Sequence, residues 1–111
     1  MEKVKKIPLH EQKRSTYVFP SEIEYLEGNG SYVIFHFTNG KPAKTITATL
    51  KQYYELLKPC GLFCPVHRSF IVNMDEIEGF DNSHFLIMNS KASVHITEEG
   101  RKNLDQMGFT L

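Results

Sequence analysis

Short turn signals cut this chain into pieces too brief for anything but small elements. Gly28-Asn29-Gly30, Asn39-Gly40, Asp81-Asn82-Ser83 and Asn89-Ser90 punctuate its 111 residues. Asn-Gly favours a tight hairpin because both residues accept positive φ. Between the turns lie runs rich in β-branched and aromatic residues: Val4–Leu9, Thr16–Phe19, Ile23–Leu26, Tyr32–Phe37, Thr45–Thr47, Phe70–Val72, Phe85–Met88 and Ser93–Ile96. Alternation within Tyr32–Phe37 sets Val33, Phe35 and Phe37 against Tyr32, Ile34 and His36. Many short strands joined by frequent turns specify a mainly β domain of short antiparallel sheets. Pro8 and Pro42 belong on an edge or at a strand end, because proline donates no ladder bond.

One segment has a different period. Leu50, Tyr53, Tyr54 and Leu57 follow the i, i+3, i+4, i+7 spacing of an amphipathic helix. Thr49 is its N-cap, Pro59 marks its stop, and both tyrosines read as core packing. A short C-terminal helical turn is expected within Thr97–Met107, with Thr97 as cap and Ile96, Leu104 and Met107 inward. Gly100 argues against much helix there. Length and the absence of any linker or repeat indicate one domain, residues 4–107, with short tails at 1–3 and 108–111.

Composition excludes several classes. Thirteen basic and thirteen acidic residues cancel, so no general attraction to polyanions follows from net charge. The charges are unevenly spaced, however. Lys3, Lys5, Lys6, Lys13 and Arg14 cluster early, Lys41, Lys44, Lys51 and Lys58 follow, and Asp75, Glu76, Glu78 and Asp81 form an acidic run. A fold that gathers the first two groups makes a basic face. No apolar run approaches the roughly 18 residues of a membrane span, and no apolar segment follows the early lysines to make a signal peptide. Cys60 and Cys64 are too few for a disulfide scaffold, and no second pair completes a zinc site near His67. Both read as core or half-buried thiols in a cytoplasmic protein, with no metal or cofactor expected.

The stretch from Phe63 to Asn73, Phe-Cys-Pro-Val-His-Arg-Ser-Phe-Ile-Val-Asn, carries the chemistry. Unbroken alternation would place Arg68 on the face of Val66, Phe70 and Val72, where an unpaired arginine is costly. A bend at His67–Ser69 resolves the conflict and projects Arg68 outward. A guanidinium fork at the rim of a rigid strand suits phosphate or guanine. The competing reading is a surface arginine closing a local salt bridge.

These residues resemble the LytTR domain, the DNA-binding output module of bacterial response regulators. Ile23–Glu27 with Gly28–Val33 matches the family's opening strand pair, and Thr49–Leu57 matches its helix. Phe63–Asn73 matches its signature of Phe, His-Arg-Ser, an aromatic, two aliphatics and Asn, and the strands from Ile77 match its closing section. The likeness spans about Val4 to Leu104. It implies short β-sheets that bind double-stranded DNA through loops in successive major grooves, two copies on a repeated site, and DNA bending. It places contacts at Asn29, Ser31 and Tyr32, at His67, Arg68 and Ser69, and at the start of the last segment, here Glu99, Arg101 and Lys102. Arg68 can grip guanine O6 and N7 or a phosphate, and His67 and Ser69 can donate to phosphate oxygens. Tyr32 offers a ring edge to a thymine methyl, or simply borders a sheet. Asn29 offers an amide to adenine, or simply forms a turn. The family pattern breaks at Glu98 and Glu99, where basic residues are usual. Carboxylates there repel phosphate, stabilise a helix N-terminus, or accept from cytosine N4.

The expected function is sequence-specific DNA binding as the transcription-regulating output of a two-component system. The alternative is an interaction or dimerisation module of the same fold that has lost DNA affinity. An enzyme is not expected. His67 with Cys64 or Ser69 could be drawn as base and nucleophile, yet no orienting carboxylate or phosphate-binding glycine loop accompanies them. The length leaves no room for a receiver domain as well, so such a domain would belong to a longer parent chain, or the regulator stands alone.

Overall fold

The computed structural model describes residues 5–81 and 84–111. Val4 of the first expected strand, tail residues 1–3 and the central Asn82-Ser83 of one expected turn lie outside the described residues. The chain opens with a two-stranded hairpin, β1 (Ile7–His10) and β2 (Ser15–Val18). A central antiparallel sheet follows, built from β3 (Ile23–Asn29), β4 (Tyr32–Phe37), β5 (Lys44–Thr47), β6 (Phe63–His67) and β7 (Phe70–Asn73). Its spatial order is β5-β4-β3-β7-β6. Helix α1 (Leu50–Leu57) connects β5 to β6. A three-stranded sheet of β8 (Ile77–Asp81), β9 (Phe85–Met88) and β10 (Ser93–His95) precedes α2 (Glu98–Gln106).

The central sheet is covered on both faces, and each face has its own core. On one face Leu26, Phe35, Ile46 and Ile71 pack against Leu9 of the hairpin and Leu57 of α1. On the other, Tyr25, Val66 and Val72 meet Leu86 and Val94 of the small sheet and Leu104 of α2. Strands β3 and β7 feed both cores, which explains why successive residues along them are buried instead of alternating with exposed ones. Strand β4 alternates as expected, with Val33, Phe35 and Phe37 buried.

Local chemistry accounts for the joints. The Thr49 hydroxyl accepts from the Gln52 amide while the Gln52 side chain accepts from the Thr49 amide, a closed capping box. Tyr53 is buried and its hydroxyl donates to the Pro8 carbonyl, which staples α1 to the hairpin. Glu24 sits at a bulge in β3 and is only 2 % exposed. Its carboxylate accepts from the Ser90 amide and hydroxyl, so a buried charge is hydrogen-bonded instead of orphaned. Asn73 is buried too; its amide donates to the Ile23 carbonyl and its side-chain oxygen accepts from the Asp75 amide. The last residue of the signature is therefore a strand-end clamp.

Several expectations change. Phe63–His67 is a strand although Pro65 interrupts its pattern, because β6 is an edge and its free side needs no amide from that residue. The short C-terminal helix expected within Thr97–Met107 forms with Thr97 as its cap and runs to nine residues. Gly100 belongs in it: a Cβ there would lie 2.0 Å from the Val66 carbonyl oxygen, so glycine permits α2 to lie against β6. Met107 is 39 % exposed, while Phe109, assigned to the tail, packs on the second core. Cys64 is buried as expected, but Cys60 is exposed.

Candidate nucleic-acid interface

Strand directions bring the loops together. Asn29 pairs with Tyr32, so Gly30 and Ser31 form a two-residue turn at the end of β3. Gly30 supplies the positive φ that this turn requires, at +60°. Asn29 is therefore not the turn former; it ends the strand, exposed. Strand β7 runs against β3 with Phe70 opposite Glu27, which sets the Arg68–Ser69 turn at the same end. The Gly28 amide donates to the Ser69 carbonyl at 2.7 Å and ties the two turns. Thr47 lies opposite Tyr32, and the Ala48 amide donates to the Ser31 carbonyl, so the start of α1 joins the same end. Leu50 presses on Gly28, where a Cβ would come within 2.5 Å of its side chain.

The His-Arg-Ser turn is held from inside. The Ser69 amide donates to His67 Nδ1 at 3.0 Å, leaving the ring proton on Nε2. The His67 ring lies 5.4 Å from Phe70 and 4.9 Å from His95, centroid to centroid. Burial lowers its pKa, and the neighbouring His95 and Arg68 lower it further. Arg68 is exposed and forms no ion pair or side-chain hydrogen bond among the described residues. The competing reading of Arg68 as half of a surface salt bridge therefore does not hold. A bulge at Val66 leaves its carbonyl outside the ladder, where it accepts from the Thr97 amide and hydroxyl. Asn103 donates to the Pro65 carbonyl. The start of α2 is thus fixed beside the turn.

His67, Arg68, Thr97, Glu99 and Asn103 border one open groove of about 620 Å³. Of the paired acids only Glu99 borders it. Arg101 points elsewhere, 5.2 Å from the Phe80 ring, and Lys102 lies with it beside Phe109. The first two sites read from sequence therefore share one end of the sheet, and of the third only Glu99 shares the groove with Arg68. Tyr32, 48 % exposed, and Ser31 lie at the same end of the central sheet, on the β3–β4 hairpin. Sequence reading did not single out Lys51, exposed on the first turn of α1 and without an ion pair among the described residues, or the contact of His67 with His95. Lys51 was legible two residues after the Thr49 cap; the histidine pair needs the fold.

Two lysines of the expected basic face lie away from Arg68 or are paired. Lys44 starts β5, away from this end, and pairs with Glu11; Lys41 pairs with Glu22. Asp75 and Glu76 follow β7 at the opposite end of the central sheet, whereas Asp81 lies in register with Phe85 and His95 on the small sheet. Cys64 is buried and its thiol pKa is pushed up to about 11 by burial, the reverse of an activated nucleophile. Among the described residues no cluster of three or more His, Cys, Asp or Glu could hold a metal, and no helix is long and apolar enough to cross a membrane.

Comparison with known proteins agrees with this layout. The family model of the LytTr DNA-binding domain matches residues 13–108. Among solved structures, the chain is similar to the LytTr DNA-binding domain of an inferred methyl-accepting/DNA response regulator from Bacillus cereus. The TM-score is 0.72 at 23 % identity, covering 93 % of this chain and 95 % of that one. A search of curated proteins found no match.

Proposed function

The chain belongs to the LytTR family of DNA-binding domains, and from that premise we propose that it binds double-stranded DNA through the loop end of its central sheet. The observation that carries this reading is Arg68: exposed, without an ion pair among the described residues, and held in a two-residue turn tied to the Asn29–Tyr32 hairpin. In this reading Arg68 enters a major groove and grips guanine O6 and N7. His67 Nε2, the Ser69 hydroxyl and Ser31 donate to phosphates and fix register. Asn29 and Tyr32 approach the neighbouring groove, and Lys51 adds a phosphate contact. Arg101 and Lys102 contribute at most through the backbone flank of the site. The biological role is transcriptional output in a two-component system, with two copies on a repeated site and a receiver domain in a longer parent chain.

Selection from a random duplex pool tests the reading. The parent should enrich a motif, and Arg68→Ala should weaken binding to it by about 1–3 kcal/mol. Affinity should fall with added salt. An Arg68→Ala variant that binds as well as the parent would refute the role of the turn. One observation favours the alternative, a protein-interaction module of the same fold: the Glu99 carboxylate stands in the groove that Arg68 borders. Absence of any enriched motif would decide for it.

A further inference from the structure

Glu99 and Arg68 border the same groove, yet they form no ion pair. Each keeps its hydrogen-bonding capacity for an outside ligand. Glu98, one residue earlier, does not border the groove, so the fold itself separates the two acids. A carboxylate only accepts hydrogen bonds, and beside DNA it is repelled by every phosphate. It gains only where a donor faces it. In the major groove those donors are cytosine N4 and adenine N6, and a G·C pair sets the guanine acceptors next to the cytosine donor. A guanidinium and a carboxylate lining one groove complement such acceptors and donors on neighbouring base pairs.

We propose that Glu99 is a specificity-determining residue that accepts from cytosine N4 beside the guanine gripped by Arg68. This rests on the DNA-binding reading above and deepens it: the preferred site contains a G·C step, and the acid rejects bases that present only acceptors. Glu99 then contributes discrimination more than affinity, because its charge penalises every register in which no donor meets it. The carboxylate at a helix N-terminus would also favour α2 through the helix dipole, but that effect cannot depend on DNA sequence.

The test is motif selection from a random duplex pool with the parent and the variants Glu99→Gln, Glu99→Ala, Glu98→Ala and Arg68→Ala. The parent should prefer cytosine next to the guanine position by about tenfold. Glu99→Gln, which can donate as well as accept, should shift that position toward adenine. Glu99→Ala should lose the preference there and bind unselected DNA more tightly. Glu98→Ala should leave the motif intact, and Arg68→Ala should lose the guanine. If the Glu99 variants enrich the parent's motif unchanged while Arg68→Ala does not, the inference fails and the DNA-binding reading stands. If no variant, nor the parent, enriches any motif, both fail. Thermal unfolding of each variant separates loss of fold from loss of recognition.

Discussion

At the residue scale, His67 links the stability of the domain to the shape of its reading turn. Its Nδ1 accepts from the Ser69 amide, so the bond exists only while that nitrogen carries no proton. Burial, His95 and Arg68 all disfavour the imidazolium, which sets its folded-state pKa below the ordinary 6.5. The unfolded chain therefore binds the proton more readily. Stability is unaffected by this group above about pH 6.5 and declines as the pH falls from there through the lowered folded value. The groups facing the ring are Arg68 on its own turn, Phe70 on β7 and His95 on β10. In urea titrations at pH 7.5 and 5.5, the parent should lose stability at the lower pH. A His67→Gln variant should lose less. Equal losses in the two proteins would show that this imidazole is not a source of the dependence.

At the element scale, α2 is docked by a small set of contacts that one methyl group disrupts. Its cap hydroxyl and amide bond the Val66 carbonyl, Asn103 bonds the Pro65 carbonyl, and Gly100 lets the helix backbone touch β6. Gly100→Ala adds good helix propensity but drives a Cβ into backbone that cannot yield. The expected net loss is about 1–3 kcal/mol by chemical denaturation, despite the usual gain from removing a helix glycine. A neutral or stabilising result would mean that α2 sits further from β6 than this. The same contact shows where sequence stops being legible. Glycine in the 97–107 segment argues against helix by propensity alone, and only the partner strand reveals why it is tolerated. Strand β6 was obscured by Pro65, whose missing donor matters little at an edge. By contrast, the alternation of β4, the Thr49 cap and the outward turn of Arg68 depend on neighbours a few residues away, and these were readable. Asn29 was left between a base contact and a turn former because Gly28 and Gly30 both permit a turn, and pairing with Tyr32 places the turn at Gly30 and Ser31.

At the scale of the whole molecule, a neutral chain concentrates its usable charge by topology. Antiparallel pairing of β3 with β4, β7 and, through them, β5 delivers two turns and the start of α1 to one end. Lysines elsewhere are partly cancelled, as Lys41, Lys44 and Lys91 each hold a glutamate. Attraction to DNA should then come from few phosphate contacts, and the salt dependence should be shallow for a DNA-binding protein and traceable to named residues. Helix α1 provides an internal comparison. Lys51 lies on its first turn, beside the Gly28–Leu50 contact, while Lys58 caps the opposite end, away from the loops. Both are exposed, so neither substitution disturbs a core. Lys51→Ala should reduce the slope of log K against log salt by about one and weaken binding equally on all sequences, whereas Lys58→Ala should change neither. Matching slopes for the two variants would place α1 outside the DNA footprint.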